Sequence, residues 1–164
     1  MNSEQLICPA KLTLSLSVRS RRADGYHLID AEMVSIDLCD EIMISDGSGL
    51  KIRSSDSGFA VPQNDDNLVS RALDLLGRTA EVMIDKRIQS GAGLGGGSMN
   101  AANILTFLVK KKFIKIDKKK LQKICSLIGS DVILGINSKC TILKSNNDIK
   151  KFTSCPKFYI LLVQ

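Results

Sequence analysis

Apolar and polar residues alternate strictly from Lys11 to Arg19: Leu12, Leu14, Leu16 and Val18 fall on one side, Lys11, Thr13, Ser15, Ser17 and Arg19 on the other. A period of two over this length predicts a half-buried strand with one wet face. Pro9 just before it confines that end to a strand start or an edge. Asp24-Gly25 then signals a turn, and a second alternating run places Val34, Ile36 and Leu38 on one face before Glu41 to Ser45. The first third therefore reads as strand-rich and antiparallel, with a short strand at Leu50-Lys51-Ile52 after it. From Asp65-Asp66-Asn67 the spacing changes. Leu68, Ala72, Leu75 and Leu76 mark a helix with cap chemistry ahead of it and Gly77 near its end. Glu81 to Ile88 reads as a strand; Ala101, Ile104, Leu105 and Leu108 then recur at helical spacing. Leu121, Ile124, Cys125 and Ile128 make a further helix closed by Gly129. Ser130-Asp131 would cap a short helical turn, and Lys139 to Lys144 and Phe158 to Val163 read as two last strands. Strands gathered early, helices later, predict an α+β fold, with residues 1–164 as one domain.

Between the strand at Glu81 and the helix after it lies Gly91-Ala92-Gly93-Leu94-Gly95-Gly96-Gly97-Ser98-Met99, with five glycines in seven residues. Glycine lets backbone approach a ligand closely, and the open amides and dipole of a helix N-terminus favour negative charge. A strand, a glycine loop and a helix start together predict a phosphate site. It is not a Walker loop, because no Gly-Lys-Ser/Thr follows the last glycine, and its match to G-x-G-x-x-G is weak evidence deep in a chain.

Composition narrows the class. The net charge is +6, but eight lysines and one aspartate lie between Lys110 and Lys123. The remainder is close to neutral, so the cluster reads as a solvated helix junction and not as a nucleic-acid surface. No apolar run is long enough to cross a membrane, and the N-terminus lacks the build of a secretory signal. Five scattered cysteines without a C-x-x-C pair predict neither a disulfide framework nor a zinc site, and point to a reduced, cytoplasmic setting.

Three separated segments carry a resemblance. Pro9-Ala10-Lys11-Leu12-Thr13-Leu14, Arg21-Arg22-Ala23-Asp24-Gly25-Tyr26-His27, and Asp85-Lys86-Arg87-Ile88 leading into the glycine loop resemble the 4-diphosphocytidyl-2-C-methyl-D-erythritol kinases of the GHMP kinase superfamily. Asp65-Asp66-Asn67-Leu68 and Gly129-Ser130-Asp131-Val132 follow in the same order. The likeness spans Leu6 to Val163 and implies the superfamily's N-terminal domain (ribosomal protein S5 domain 2-like), with the C-terminal domain absent.

The resemblance implies ATP-dependent phosphorylation of the 2-hydroxyl of 4-diphosphocytidyl-2-C-methyl-D-erythritol, in the non-mevalonate route to isoprenoid precursors. ATP would lie on Gln89, Ser90, Gly91, Ala92, Gly93, Leu94, Gly95, Gly96, Gly97, Ser98 and Met99, with Asn67, Leu68 and Lys86 beside the nucleotide. Ser98 would help hold Mg²⁺. Tyr26, His27 and Thr13 would face the substrate, and Asp131 would accept the hydroxyl proton next to Lys11. Taken singly, Lys11 could be an ordinary edge lysine, Asp131 a helix cap and His27 an exposed turn residue. The family pattern usually has asparagine at Thr13, serine at Met99, and proline at Gln89 and Ile133. Those departures, with half of the family's length missing, imply a truncated or impaired kinase. The alternatives are a weak nucleotide-binding remnant or an interaction module. A homodimer or a C-terminal partner chain would complete it, with no nucleic acid or membrane involved.

Overall fold

The computed structural model describes residues 2–21, 23, 25, 27–54, 61–62, 66–136, 139–146, 148–152, 154–155 and 157–163. Its spine is a 19-residue strand, β2 (His27–Ser45). Strand β1 (Glu4–Arg21) pairs antiparallel along the whole of one edge of β2. Two short strands share the other edge: β4 (Glu81–Lys86) against Glu41–Ser45, and β5 (Cys140–Leu143) against Ala31–Val34. Strand β3 (Gly49–Ser54) adds parallel to β4, and β6 (Ile149–Phe152) antiparallel to β5. The result is a mixed six-stranded sheet. Among the described residues the middle of β2, between its pairings with β4 and β5, has no ladder partner on that edge, and Arg87 and Ile88, just after β4, lie against Asp40.

The helices are α1 (Leu68–Leu75), α2 (Gly96–Lys110), α3 (Lys118–Ile128) and the single turn α4 (Val132–Gly135). Asn67 caps α1 by accepting from the Val69 amide at 2.9 Å, and Asp117 caps α3 by accepting from the Lys120 amide at 2.7 Å. Gly77 (φ +59°) follows α1 in the left-handed conformation that ends helices. One apolar cluster joins sheet to helices: Cys8, Ile42, Ile44, Val82 and Ile84 against Val69, Leu73, Ile104, Phe107 and Leu108. Each of these large side chains contributes about 1.5–3 kcal/mol on leaving water. A second cluster ties the helices to one another, where Ala72, Ala101 and Ala102 let α1, α2 and α4 approach closely around Ile128 and Val132.

The expected elements form, with informative differences. The pairing of β1 with β2 shifts register between Pro9 and Lys11, between Thr13 and Ser15, and between Val18 and Ser20. Alternation along the strand is therefore not one continuous face. Lys11, expected on the wet side, is buried, whereas Leu14, Leu16 and Val18 are 50%, 56% and 59% exposed. Helix α1 turns Val69, Ala72 and Leu73 inward and leaves Leu75 exposed. The expected strand at Phe158 to Val163 does not form: these residues pair with no strand and are exposed, and β6 takes the edge of the sheet instead. Cys140 and Cys155 are joined in a disulfide that their spacing did not suggest; the turn from β5 to β6 returns the chain until their Cα atoms are 5.9 Å apart.

Candidate active site

Lys11 and Asp131 are 120 residues apart in the chain, yet Lys11 Nζ donates to Asp131 Oδ2 at 2.8 Å. Two local features bring them together. Lys11 lies on β1 where the edge not used by β2 meets the glycine loop, and its amide donates to the Leu94 carbonyl at 2.9 Å. Asp131 stands at the N-cap position of α4, but its side chain makes no capping bond. The carboxylate is instead turned to the Lys11 ammonium. The Lys11 side chain is 10% exposed and that of Asp131 42%: a buried cation holds a carboxylate that water and solutes can reach.

The glycine loop runs beside this pair. Gly91, Gly93 and Gly95 have φ of +78°, +74° and +65°, a region that side chains with a Cβ rarely adopt. Gly95 is the N-cap of α2, and a Cβ placed there would meet Lys11 Cε at 3.3 Å. Gly96 opens the helix with a different constraint, because its Cβ would lie 2.9 Å from Lys86 Nζ and 3.0 Å from Ile88 Cγ2. The first-turn amides of an α-helix have no acceptor four residues back, and no acidic side chain occupies the first turn of α2. Their dipole is left for an external anion.

Above the loop is a cavity of about 500 Å³. Of the predicted nucleotide residues, Asn67, Leu68, Lys86, Gln89, Ser90, Gly91, Ala92, Gly93, Gly95, Gly96, Gly97 and Ser98 all line it, and Asp131 closes one side. Asn67 is fixed there from both ends of its amide, since Nδ2 donates to the Pro62 carbonyl at 2.8 Å while Oδ1 caps α1.

Not every expected residue arrives. Met99 is buried with its thioether against Gly135, where an added Cβ would come within 2.8 Å of Sδ, and its amide is bonded to the Gly95 carbonyl. It packs α2 against α4 and does not line the cavity. Leu94 contributes its carbonyl to Lys11 and is likewise not in the lining. Thr13 follows Lys11 on β1 with unbroken register between them, so the two share a strand face. His27 is exposed and pairs with Arg21, whereas Lys11 pairs with Ser35, roughly 26 Å along an extended strand. The structure does not bring His27 to the Lys11–Asp131 pair. Tyr26 lies outside the described residues.

The sequence reading missed Asp40 and Asn100. Both are buried, and Asp40 accepts from Lys86 Nζ, Asn100 Nδ2 and the amides of Arg87 and Ile88, each at 2.8 Å. The available signal was parity: Asp40, Ile42 and Ile44 alternate along β2, so a carboxylate stands at a core position.

A sheet backed by helices, with a glycine loop opening α2 over a cavity and a Lys–Asp pair at its side, is the fold of a GHMP kinase N-terminal domain, and residues 67–141 match the family described as GHMP kinases N terminal domain. The chain is similar to 4-diphosphocytidyl-2-C-methyl-D-erythritol kinases. It is 39% identical to the one from Pelagibacter ubique (strain HTCC1062), over 100% of this chain and 61% of that protein. It is 36% identical to the one from Alkaliphilus metalliredigens (strain QYMF), over 91% and 53%. A crystal structure of 4-(cytidine 5'-diphospho)-2C-methyl-D-erythritol kinase superposes with a TM-score of 0.71 at 30% identity, covering 91% of this chain and 55% of that one. Homoserine kinase from Cytophaga hutchinsonii shares the fold at a TM-score of 0.58 and 19% identity, over 92% and 52%. The chain thus spans about half to three fifths of the length of these relatives. Among the described residues, no helix is long and apolar enough to cross a membrane.

Proposed function

We propose that residues 1–164 form one ATP-holding domain of a kinase that phosphorylates the 2-hydroxyl of 4-diphosphocytidyl-2-C-methyl-D-erythritol in isoprenoid precursor synthesis. The observation that carries this reading is the 2.8 Å contact of Lys11 Nζ with Asp131 Oδ2 at the rim of the glycine-loop cavity, in a chain similar to kinases of that name. ATP supplies the phosphoryl group. The amides that open α2 and those of the glycine loop donate to its phosphates, with the Lys86 ammonium, held by Asp40, lying beneath them. Asp131 takes the proton of the attacking hydroxyl. Lys11 keeps that carboxylate ionised and in place, and opposes the negative charge that builds between the oxygens during transfer.

The side chains present suit Mg²⁺. Ser98 sets a hydroxyl at the helix N-terminus in the same cavity as Asp131, and a hard cation shared with phosphates needs only one or two such protein oxygens. Among the described residues, no cluster of three or more His, Cys, Asp or Glu forms a cage of its own. His27 and Thr13, with Tyr26, are proposed for the cytidine side. The exposed Leu14, Leu16 and Val18 support a reading in which a second copy or a complementary C-terminal chain covers β1.

The test is D131N in a coupled phosphorylation assay alongside ATP titration. Turnover is expected to fall by about 10²–10⁴-fold, with ATP affinity nearly unchanged, because the amide keeps the size of the carboxylate and loses its basicity. A D131N protein that retains the wild-type rate removes Asp131 from the mechanism. A wild-type chain that binds ATP without transferring phosphate moves the reading to a nucleotide-binding remnant, and one that binds no ATP moves it to an interaction module.

A further inference from the structure

Asp40 does not line the cavity, yet its carboxylate holds Lys86, which does, and the backbone that leads from it into the glycine loop. It is fully buried on β2, on the same face as Ile42 and Ile44. Pairing of β2 with β4 ends at Glu41 and Asp85, and among the described residues the amides of Arg87 and Ile88 pair with no strand. Asp40 Oδ1 accepts from both at 2.8 Å, which sets the direction in which the chain departs towards Gly91. Asp40 Oδ2 accepts from Asn100 Nδ2 on α2 and from Lys86 Nζ, both at 2.8 Å. The same ammonium donates to the Ile88 carbonyl. Two of its three hydrogens are thus accounted for among the described residues, and Lys86 itself lines the cavity directly beneath Gly96.

A buried ion pair is poor evidence for a stabilising role, since a well-packed apolar pair of similar volume commonly serves the fold as well or better. An aliphatic residue at this position would simply continue the Ile42 and Ile44 face. The carboxylate is instead the common acceptor for the entry to the glycine loop, the helix that follows the loop and the cation under it.

We propose that Asp40 is a positioning residue for the nucleotide: one carboxylate fixes both the path of the glycine loop and the place of the Lys86 ammonium below the first turn of α2. The proposal rests on the preceding reading of the cavity as an ATP site. Asp40 acts through Arg87, Ile88, Lys86 and Asn100 and touches no ligand.

The experiment compares D40N with wild type by titration with ATP and with adenosine, and by amide hydrogen exchange. D40N leaves the Lys86 ammonium buried without its counter-charge, so the D40N/K86M pair, which buries no charge, is measured beside it. For D40N we expect ATP affinity to fall roughly 10–100-fold, with adenosine affinity within about twofold, because the groups displaced face phosphate. Exchange at residues 87–97 should quicken in both variants while β1 and the rest of β2 stay protected. A purely structural role would weaken ATP and adenosine alike and loosen the sheet, and that result overturns the proposal. So does unchanged ATP affinity with unchanged exchange at 87–97. If wild type binds neither ligand, the ATP reading of the cavity fails, and exchange at 87–97 decides the positioning role alone.

Discussion

Replacing Gly95 by alanine separates two effects that the loop combines, provided Gly91→Ala is made beside it. Both glycines hold positive φ, +65° and +78°, so each substitution forces an L-residue into the left-handed region. That costs about 1–2 kcal/mol wherever it occurs. The surroundings differ. An added methyl at Gly91 meets nothing within 4 Å, whereas at Gly95 it meets Lys11 Cε at 3.3 Å. Lys11 must then give by a few tenths of an ångström, and its Nζ is the atom that holds Asp131. Both variants should therefore lose about 1–2 kcal/mol in urea unfolding, a fall in Tm of about 2–8 °C at this chain length. Only Gly95→Ala should also disturb the reacting pair. A misplacement well under 1 Å at such a pair is expected to cost roughly tenfold in turnover, given that about 1 Å costs 10²-fold. Gly91→Ala, whose methyl enters the cavity without meeting Lys11, should show its loss in the KM for ATP and keep turnover at saturating ATP within about threefold of wild type. Chemical denaturation and a coupled phosphorylation assay under the same conditions read the two effects separately. Equal activity losses in two equally destabilised variants would show that the contact with Lys11 has no part in the chemistry.

Two further outcomes follow from charge and burial. The Ser145 amide, at 2.7 Å, and then the Arg19 guanidinium hold the Asp30 carboxyl below its usual range. A depressed folded-state pKa stabilises the protein above the unfolded value and loses that contribution as pH falls through the folded value. D30N should therefore unfold at lower urea than wild type at pH 7, with the gap closing below about pH 3.8; a gap that persists unchanged in acid refutes the assignment. Burial, with help from Asp40 and Cys39, pushes the Cys8 thiol up to about 12, and burial raises Cys125 to about 11. Their thiolate fractions at pH 8 are about 10⁻⁴ and 10⁻³. Native alkylation at that pH should mark the partly exposed Cys39 first, with Cys8 and Cys125 following only as the protein unfolds; Cys8 labelling as fast as Cys39 would contradict this.

Local order in the sequence was enough for the elements that bury a repeating face. Ile104, Leu105 and Leu108 fall at helical spacing and are all buried on α2, and Ile124, Cys125 and Ile128 do the same on α3. The glycine loop could be read because positive φ at Gly91, Gly93 and Gly95, and the lack of room at Gly96, leave few other residues possible. The sequence motifs likewise named most of the cavity lining, because those residues are consecutive in the chain.

What stayed hidden was set by partners distant in the chain. Alternation along β1 gave a strand but not which side was covered, because register shifts against β2 and the elements packed on each half decide that. Phe158 to Val163 has the composition of a strand but pairs with no strand among the described residues, and backbone hydrogen bonds to a neighbour are what make a strand. The Lys11–Asp131 contact joins residues 120 apart, and Asp40 reaches Lys86 and Asn100 across 46 and 60. Periodicity reports which face of an element is apolar. It carries no information about which charge will stand opposite which, and in this protein that pairing, made only when β1, β2, the loop and α4 converge, is what assembles the site.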